Sequence, residues 1–247
     1  MKTSSIRGTK RGAVLLFGDE PLVAEYRRVI ASCGYDVLIP KRTKNLGGAA
    51  VRASIALELS NIDPDAKRKR LVALDHALPA ATAILTSSVN VTVLDQSSWV
   101  TMRHRLVGIA AFPTLLDRDA VELAPSVYTL DPAVGVAVRF LESLKKQAAV
   151  VQDRVGMVMP RILCQMINEA MFAVQDGASS PREIDIAMKL GAGYPLGPLE
   201  WGEKIGFGQV FATLRALHDE LGEERYRICP LLKEIATTGK FWGDGTQ

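Results

Sequence analysis

The chain has 247 residues, 48% of them hydrophobic and 23% charged, which is ordinary globular composition and enough chain for one large domain or two smaller ones. A net charge of +3 argues against nucleic acid as a partner, and three scattered cysteines (Cys33, Cys164 and Cys229) make neither a disulfide framework nor a metal-ligand set, which suits a reducing, cytoplasmic setting. No apolar run reaches the roughly 18 residues that a membrane-spanning helix needs, so a membrane role is not expected.

Residues 1–11 carry Lys2, Arg7, Lys10 and Arg11 with no apolar segment behind them, and read as a loose tail. From Gly12 the pattern predicts a strand over Ala13 to Phe17, a helix from about Leu22 to Ser32 stopped at Gly34, and a second strand over Asp36 to Ile39. After a short Gly-rich link, Leu57 falls at the end of a strand, Asp65 to Leu78 is helical, and Ala83 to Leu85 is a short buried strand. The basic run Lys67-Arg68-Lys69-Arg70 reads as a solvated helix face, with a polyanion or nucleotide-phosphate contact as the alternative. Strands are expected at Val107 to Ala111, Ser126 to Leu130 and Ala148 to Val151, and a helix opens with Asp131 as N-cap and Pro132 at its first position. This alternation predicts an α/β fold, a Rossmann-like doubly wound and mostly parallel sheet over residues 12–152.

Past Asp153 the period changes. Leu163, Met166, Ile167, Ala170, Met171 and Val174 recur at helical spacing, and Ser180 to Glu183 form a capping box with Pro181 in its first turn. Further helices are expected over Pro198 to Ile205, Val210 to Leu221 and Leu231 to Ala236, so that residues 153–247 make an all-helical second domain.

The densest Gly/Pro stretch, Gly191-Ala-Gly-Tyr-Pro-Leu-Gly-Pro-Leu-Glu200, lies between two of these helices. Together with Ser180-Pro-Arg-Glu-Ile-Asp185 before it and Gly206 after it, it is similar to the helical-domain signature of the 3-hydroxyacyl-CoA dehydrogenases. The resemblance covers nearly the whole chain and is most specific from Gly156 to Gly206. It implies a 6-phosphogluconate-dehydrogenase-like helical domain that builds a homodimer and one wall of an acyl-CoA cleft. It also implies NAD as cofactor and oxidation of 3-hydroxyacyl-CoA to 3-oxoacyl-CoA.

Set against that family, the chain departs where the chemistry should be. A dinucleotide turn needs Gly-x-Gly-x-x-Gly so that a diphosphate can lie on backbone N–H groups. Here Gly18 holds the first glycine position, Glu20 the second and Val23 the third, and Asp19 and Glu20 would face the diphosphate at a cost on the order of 1 kcal/mol per contact. The acidic residue expected at the end of the second strand is replaced by Pro40-Lys41-Arg42, where Lys41 and Arg42 are either surface charges or receivers of a 2′-phosphate, which would make the cofactor NADP.

The family's base histidine aligns with Ala110, and its partner glutamate with Glu122, left without an imidazole to orient and open to another use. The substrate-binding serine aligns with Val89, for which Ser88 or Asn90 could substitute after a one-residue shift, and the family's asparagine aligns with Pro160. His76, His104 and His218 read as structural, and no metal-ligand spacing or other catalytic motif is present. NAD binding is therefore expected to be weak or absent. Two readings stand: a weak dehydrogenase with rearranged residues, or a non-catalytic relative that dimerises, or binds an acyl-CoA or a partner acyl-CoA enzyme, through the helical domain.

Overall fold

The computed structural model describes residues 11–41, 43 and 46–240. In chain order, β1 (Ala13–Gly18), α1 (Glu20–Ser32) and β2 (Asp36–Leu38) make the opening βαβ unit, and α2 (Gly47–Arg52) leads into β3 (Ala53–Leu59) and α3 (Pro64–Ala77). Then come β4 (Ile84–Ser87), α4 (Val93–Ser97), β5 (Leu106–Ile109), β6 (Ala120–Ala124), α5 (Asp131–Ser143) and β7 (Gln147–Val150). The seven strands form one sheet in the order β2-β1-β3-β4-β5-β6-β7. Every pairing is parallel except β5 with β6. The exception follows from chain length, because residues 110–119 are too few for the crossover that a parallel return needs.

Alternation along β1 divides the core. Val14 and Leu16 pack with Leu22, Tyr26 and Ile30 of α1 and with Phe140 and Leu141 of α5, whereas Leu15 and Phe17 pack on the other face with Ala50, Leu71 and Leu74. Strands covered on both faces need unbroken apolar runs, which is why β1 reads Ala-Val-Leu-Leu-Phe rather than alternating.

Several sequence expectations need correction. Residues 126–130 are not a strand: the Ser126 amide donates to Thr129 Oγ1, the Thr129 amide donates to Ser126 O, and Val127 and Tyr128 project outward. Their apolar alternation imitates a strand, while the hydroxyls close a turn. The strand is β6, six residues earlier. Leu130, not Asp131, is the N-cap of α5, and Asp131 places its charge in the first helical turn, where the helix dipole favours it. Of the expected loose tail, residues 1–10 lie outside the described residues, and Arg11 is tied down, its amide donating to Gly34 O and its guanidinium to Ser143 O. Lys67 is not on a solvated face: it is buried and ion-paired with Glu58.

The second half is helical. α6 (Met159–Gln175) is followed by α7 (Pro181–Gly191), α8 (Pro198–Ile205), α9 (Phe207–Leu221) and α10 (Pro230–Thr238). Leu163, Cys164, Ile167 and Met171 of α6 pack on Leu199, Trp201, Val210, Leu214 and Leu232, and the same cluster takes in Val89, Ala110 and Phe112 from the sheet's carboxyl end. No helix among the described residues is long and apolar enough to cross a membrane.

The Gly/Pro stretch has a physical explanation. Asp185 Oδ1 accepts from the Leu199 amide at 2.8 Å and Oδ2 from the Glu200 amide at 2.9 Å, so a side chain from α7 satisfies the free donors at the start of α8. Gly197 lies against that carboxylate, and a Cβ there would overlap it. The capping box at Ser180 and Glu183 fixes the other end of α7. We expect Gly197→Ala to displace Asp185 and cost about 2–3 kcal/mol, read as a lower urea midpoint at unchanged slope.

Candidate functional site

Because β1 connects to β2 on one side and β3 lies on the other, the sheet's switch point falls between β1 and β3, where folds of this kind hold ligands outside the carboxyl ends of the strands. The residues there are Gly18 to Pro21 after β1 and Ser60 to Ile62 after β3. A Cβ on Gly18 would stand 2.6 Å from Leu59 Cβ, so this glycine serves the close approach of β1 to β3. Asp19, which follows it, makes no side-chain cap on α1. Its carboxylate turns sideways, and Oδ2 accepts from the Asn61 amide at 2.8 Å, the Ile62 amide at 3.2 Å and the Gln209 side-chain amide at 3.2 Å.

A dinucleotide does not fit this turn. The Asp19 carboxylate fills the seam, Glu20 adds an exposed second negative charge, and Pro21 removes one of the first backbone donors of α1. Proline's missing donor was readable in the sequence, whereas the contacts of Asp19 and Gln209, 190 residues apart, carried no local signal. Lys41 is exposed beyond the end of β2, and Arg42 lies outside the described residues.

Below this turn, a polar cluster fills the sheet end. Lys67 Nζ pairs with Glu58 and donates to Ser60 O at 3.3 Å and Thr86 Oγ1 at 3.1 Å. Burial pushes its pKa down, and the adjacent Glu58 opposes that shift. With all three donors engaged, Lys67 is a structural cation.

The positions aligned with reacting groups are apolar and packed together. Val89 and Ala110, 0% and 3% exposed, join Met157, Leu163 and Cys164 in one cluster, and Pro160 is buried at the start of α6. Ser88 is fully buried, and its hydroxyl donates to Met157 Sδ at 3.3 Å. Asn90 points differently: it lines a cleft of about 510 Å³ between the β3 and β4 loops and α9, and its Nδ2 donates to Asn61 O at 3.0 Å. Ser88 and Asn90 therefore do not converge.

Glu122 has found other partners. Oε2 accepts from the Val158 amide at 2.8 Å and Oε1 from the Met159 amide at 2.6 Å, so the carboxylate holds the first turn of α6 against β6. Gly156 and Met157 prepare that turn with positive φ values of 79° and 46°. Glu25 does a similar job at the front of the sheet, accepting from the Thr114 and Leu116 amides, and burial pushes its carboxyl upward against those bonds. Trp201 Nε1 donates to Thr114 Oγ1 at 2.9 Å, a further tie between the halves. Among the described residues, no group of three or more His, Cys, Asp or Glu is gathered as a metal site.

The profile of the 3-hydroxyacyl-CoA dehydrogenase C-terminal domain matches residues 156–245. A 3-hydroxybutyryl-CoA dehydrogenase of Bradyrhizobium diazoefficiens is 35% identical over 160 residues, covering 65% of this chain and 54% of that protein. Residues 156–245 therefore belong to the C-terminal domain family of the 3-hydroxyacyl-CoA dehydrogenases. A probable 3-hydroxybutyryl-CoA dehydrogenase of Bacillus subtilis is 29% identical over 190 residues, covering 77% of this chain and 66% of that protein. Among solved structures, the (S)-3-hydroxybutyryl-CoA dehydrogenase of Ralstonia eutropha superposes with a TM-score of 0.70 at 25% identity, covering 87% of this chain and 78% of that one. The matched stretches span between about half and two thirds of the two relatives' lengths.

Within the family frame, Glu122 is a carboxylate bound to backbone rather than to an imidazole. We expect Glu122→Gln to weaken the attachment of α6, costing about 1–3 kcal/mol in chemical unfolding and raising the hydrogen exchange of the Val158 and Met159 amides.

Proposed function

We propose that this chain is a family member in which the NAD-dependent oxidation of 3-hydroxyacyl-CoA is weak or lost, and that it acts as a non-catalytic, dimerising relative in cytoplasmic acyl-CoA metabolism. The observation that carries this reading is the apolar cluster in which Val89 and Ala110 stand where the family has its serine and histidine, together with a buried Pro160 at the start of α6 in place of its asparagine. A hydroxyl oxidation needs a group to take the proton and donors to hold the oxygen. Alanine, valine and proline side chains do neither.

The second domain, residues 153–247, is the working part in this reading, binding an acyl-CoA or a partner acyl-CoA enzyme. Its homodimer face is α7, which has no buried residue within the single chain and exposes Leu190 by 84% and Ile186 by 41%, with Tyr194 40% exposed just beyond it. We expect the chain to run as a dimer in light scattering and Leu190→Arg to shift it to monomer without loss of helix content.

The competing reading keeps a slow dehydrogenase, favoured by Asn90, which still lines the interdomain cleft with Oδ1 unpartnered. NADH consumption with acetoacetyl-CoA separates the two. Loss of acid–base help alone predicts a rate roughly 10²- to 10⁴-fold below a relative assayed alongside, and turnover equal to that relative would overturn the proposal. Calorimetric titration with NAD, NADP and butyryl-CoA then distinguishes cofactor affinity, which favours the slow enzyme, from acyl-CoA affinity alone, which favours the binding module.

A further inference from the structure

The surroundings of Asp19 are more than an obstruction. Three N–H groups from two separate parts of the chain converge on its Oδ2: the Asn61 and Ile62 amides from the loop after β3, and the Gln209 side chain from α9. Two of these donors, Asn61 and Gln209, belong to residues held in place by other bonds. Gln209 is buried, and its carbonyl accepts from Asn61 Nδ2 at 3.2 Å, which fixes the side-chain orientation that aims its NH₂ group at Asp19. Asn61 Nδ2 also donates to Ala111 O at 2.8 Å, the Ser87 hydroxyl donates to Asn61 Oδ1, and Asn90 Nδ2 donates to Asn61 O. Asn61 and Gln209 are thus held by bonds other than those to Asp19, which is the condition for a preorganised site.

An aspartate at a helix N-cap ordinarily accepts from its own helix. Asp19 forgoes that bond and reaches across the seam. We infer that Asn61, Ile62 and Gln209 form a small-anion seat spanning the two halves of the chain, that its ligand class is a monovalent carboxylate, and that Asp19 is its built-in occupant. Tethered beside the seat, Asp19 competes at an effective concentration in the millimolar range or above, so free carboxylate at ordinary concentrations is excluded. An anion that entered would have to displace Asp19, so anion binding and release of α9 from the β1 turn are coupled. This goes beyond the loss of dehydrogenase chemistry and does not depend on it.

The test is chemical rescue of Asp19→Ala in the full chain, following thermal unfolding in sodium formate against sodium chloride at equal ionic strength. The variant should melt about 5 °C or more below the parent. Formate should restore at least half of that loss along a saturating curve, while shifting the parent no more than chloride does. Asp19→Asn, which fills the seat without a charge, should be destabilised and not rescued, and adding Gln209→Met to Asp19→Ala should weaken the formate midpoint at least threefold. An unchanged melting temperature in Asp19→Ala, or equal rescue by chloride, would overturn the inference. Should Asp19→Ala not fold, amide exchange in Asp19→Asn decides: exchange at Asn61 and Ile62 at least tenfold faster than in the parent supports the seat, and unchanged exchange sinks it.

Discussion

The structure depends on one repeated interaction, a carboxylate accepting hydrogen bonds from neighbouring backbone amides of a distant segment. Asp19 holds Asn61 and Ile62, Glu25 holds Thr114 and Leu116, Asp75 holds Thr101 and Met102, Glu122 holds Val158 and Met159, Asp153 holds Val93 and Leu94, and Asp185 holds Leu199 and Glu200. A carboxylate suits this work because it has two oxygens and only accepts, so one side chain can satisfy two free N–H groups at a helix start or loop. The cost is desolvation. Burial pushes Asp153 upward in spite of its amides, whereas at Asp75 the same push is outweighed by Arg105 and the Thr101 and Met102 amides, leaving that carboxyl below its ordinary range.

Two of these carboxylates sit where the family's chemistry would be. Glu122, expected from the sequence to be a histidine's partner, holds a helix, and Asp19 occupies the turn after β1, where a dinucleotide fold needs bare N–H groups. Both face inward, and both join the sheet to the helical half. The same seam contains Val89, Ala110 and Phe112 packed against α6, so polar and apolar contacts together turn what would be a cleft wall into core. The space that remains between the halves lies to one side, lined by Asn61, Asn90 and α9.

Much of the architecture was legible in residue order. The apolar run Ala13 to Phe17, the capping box at Ser180 and the helical spacing from Leu163 to Val174 are local signals, and each element formed where its pattern placed it. Misreadings arose where a local pattern had two physical interpretations. Val127, Tyr128 and Leu130 alternate like a strand, but Ser126 and Thr129 supply hydroxyls that satisfy the backbone within a turn. Lys67 looks solvated beside Arg68 and Lys69, yet the helix turns it onto Glu58, and only a partner nine residues upstream explains its burial.

The sequence by itself determined the resemblance of the helical half to its family, and it fixed that Val89, Ala110 and Pro160 carry no proton-accepting or proton-donating side-chain atom in any fold. Only the tertiary structure decided what the polar side chains do. Whether Glu122 is idle or bound, whether Ser88 and Asn90 converge, and what Asp19 does depend on directions and distances between segments as much as 190 residues apart. A hydrogen bond is short-ranged and directional, so its existence is a property of packed geometry rather than of residue order.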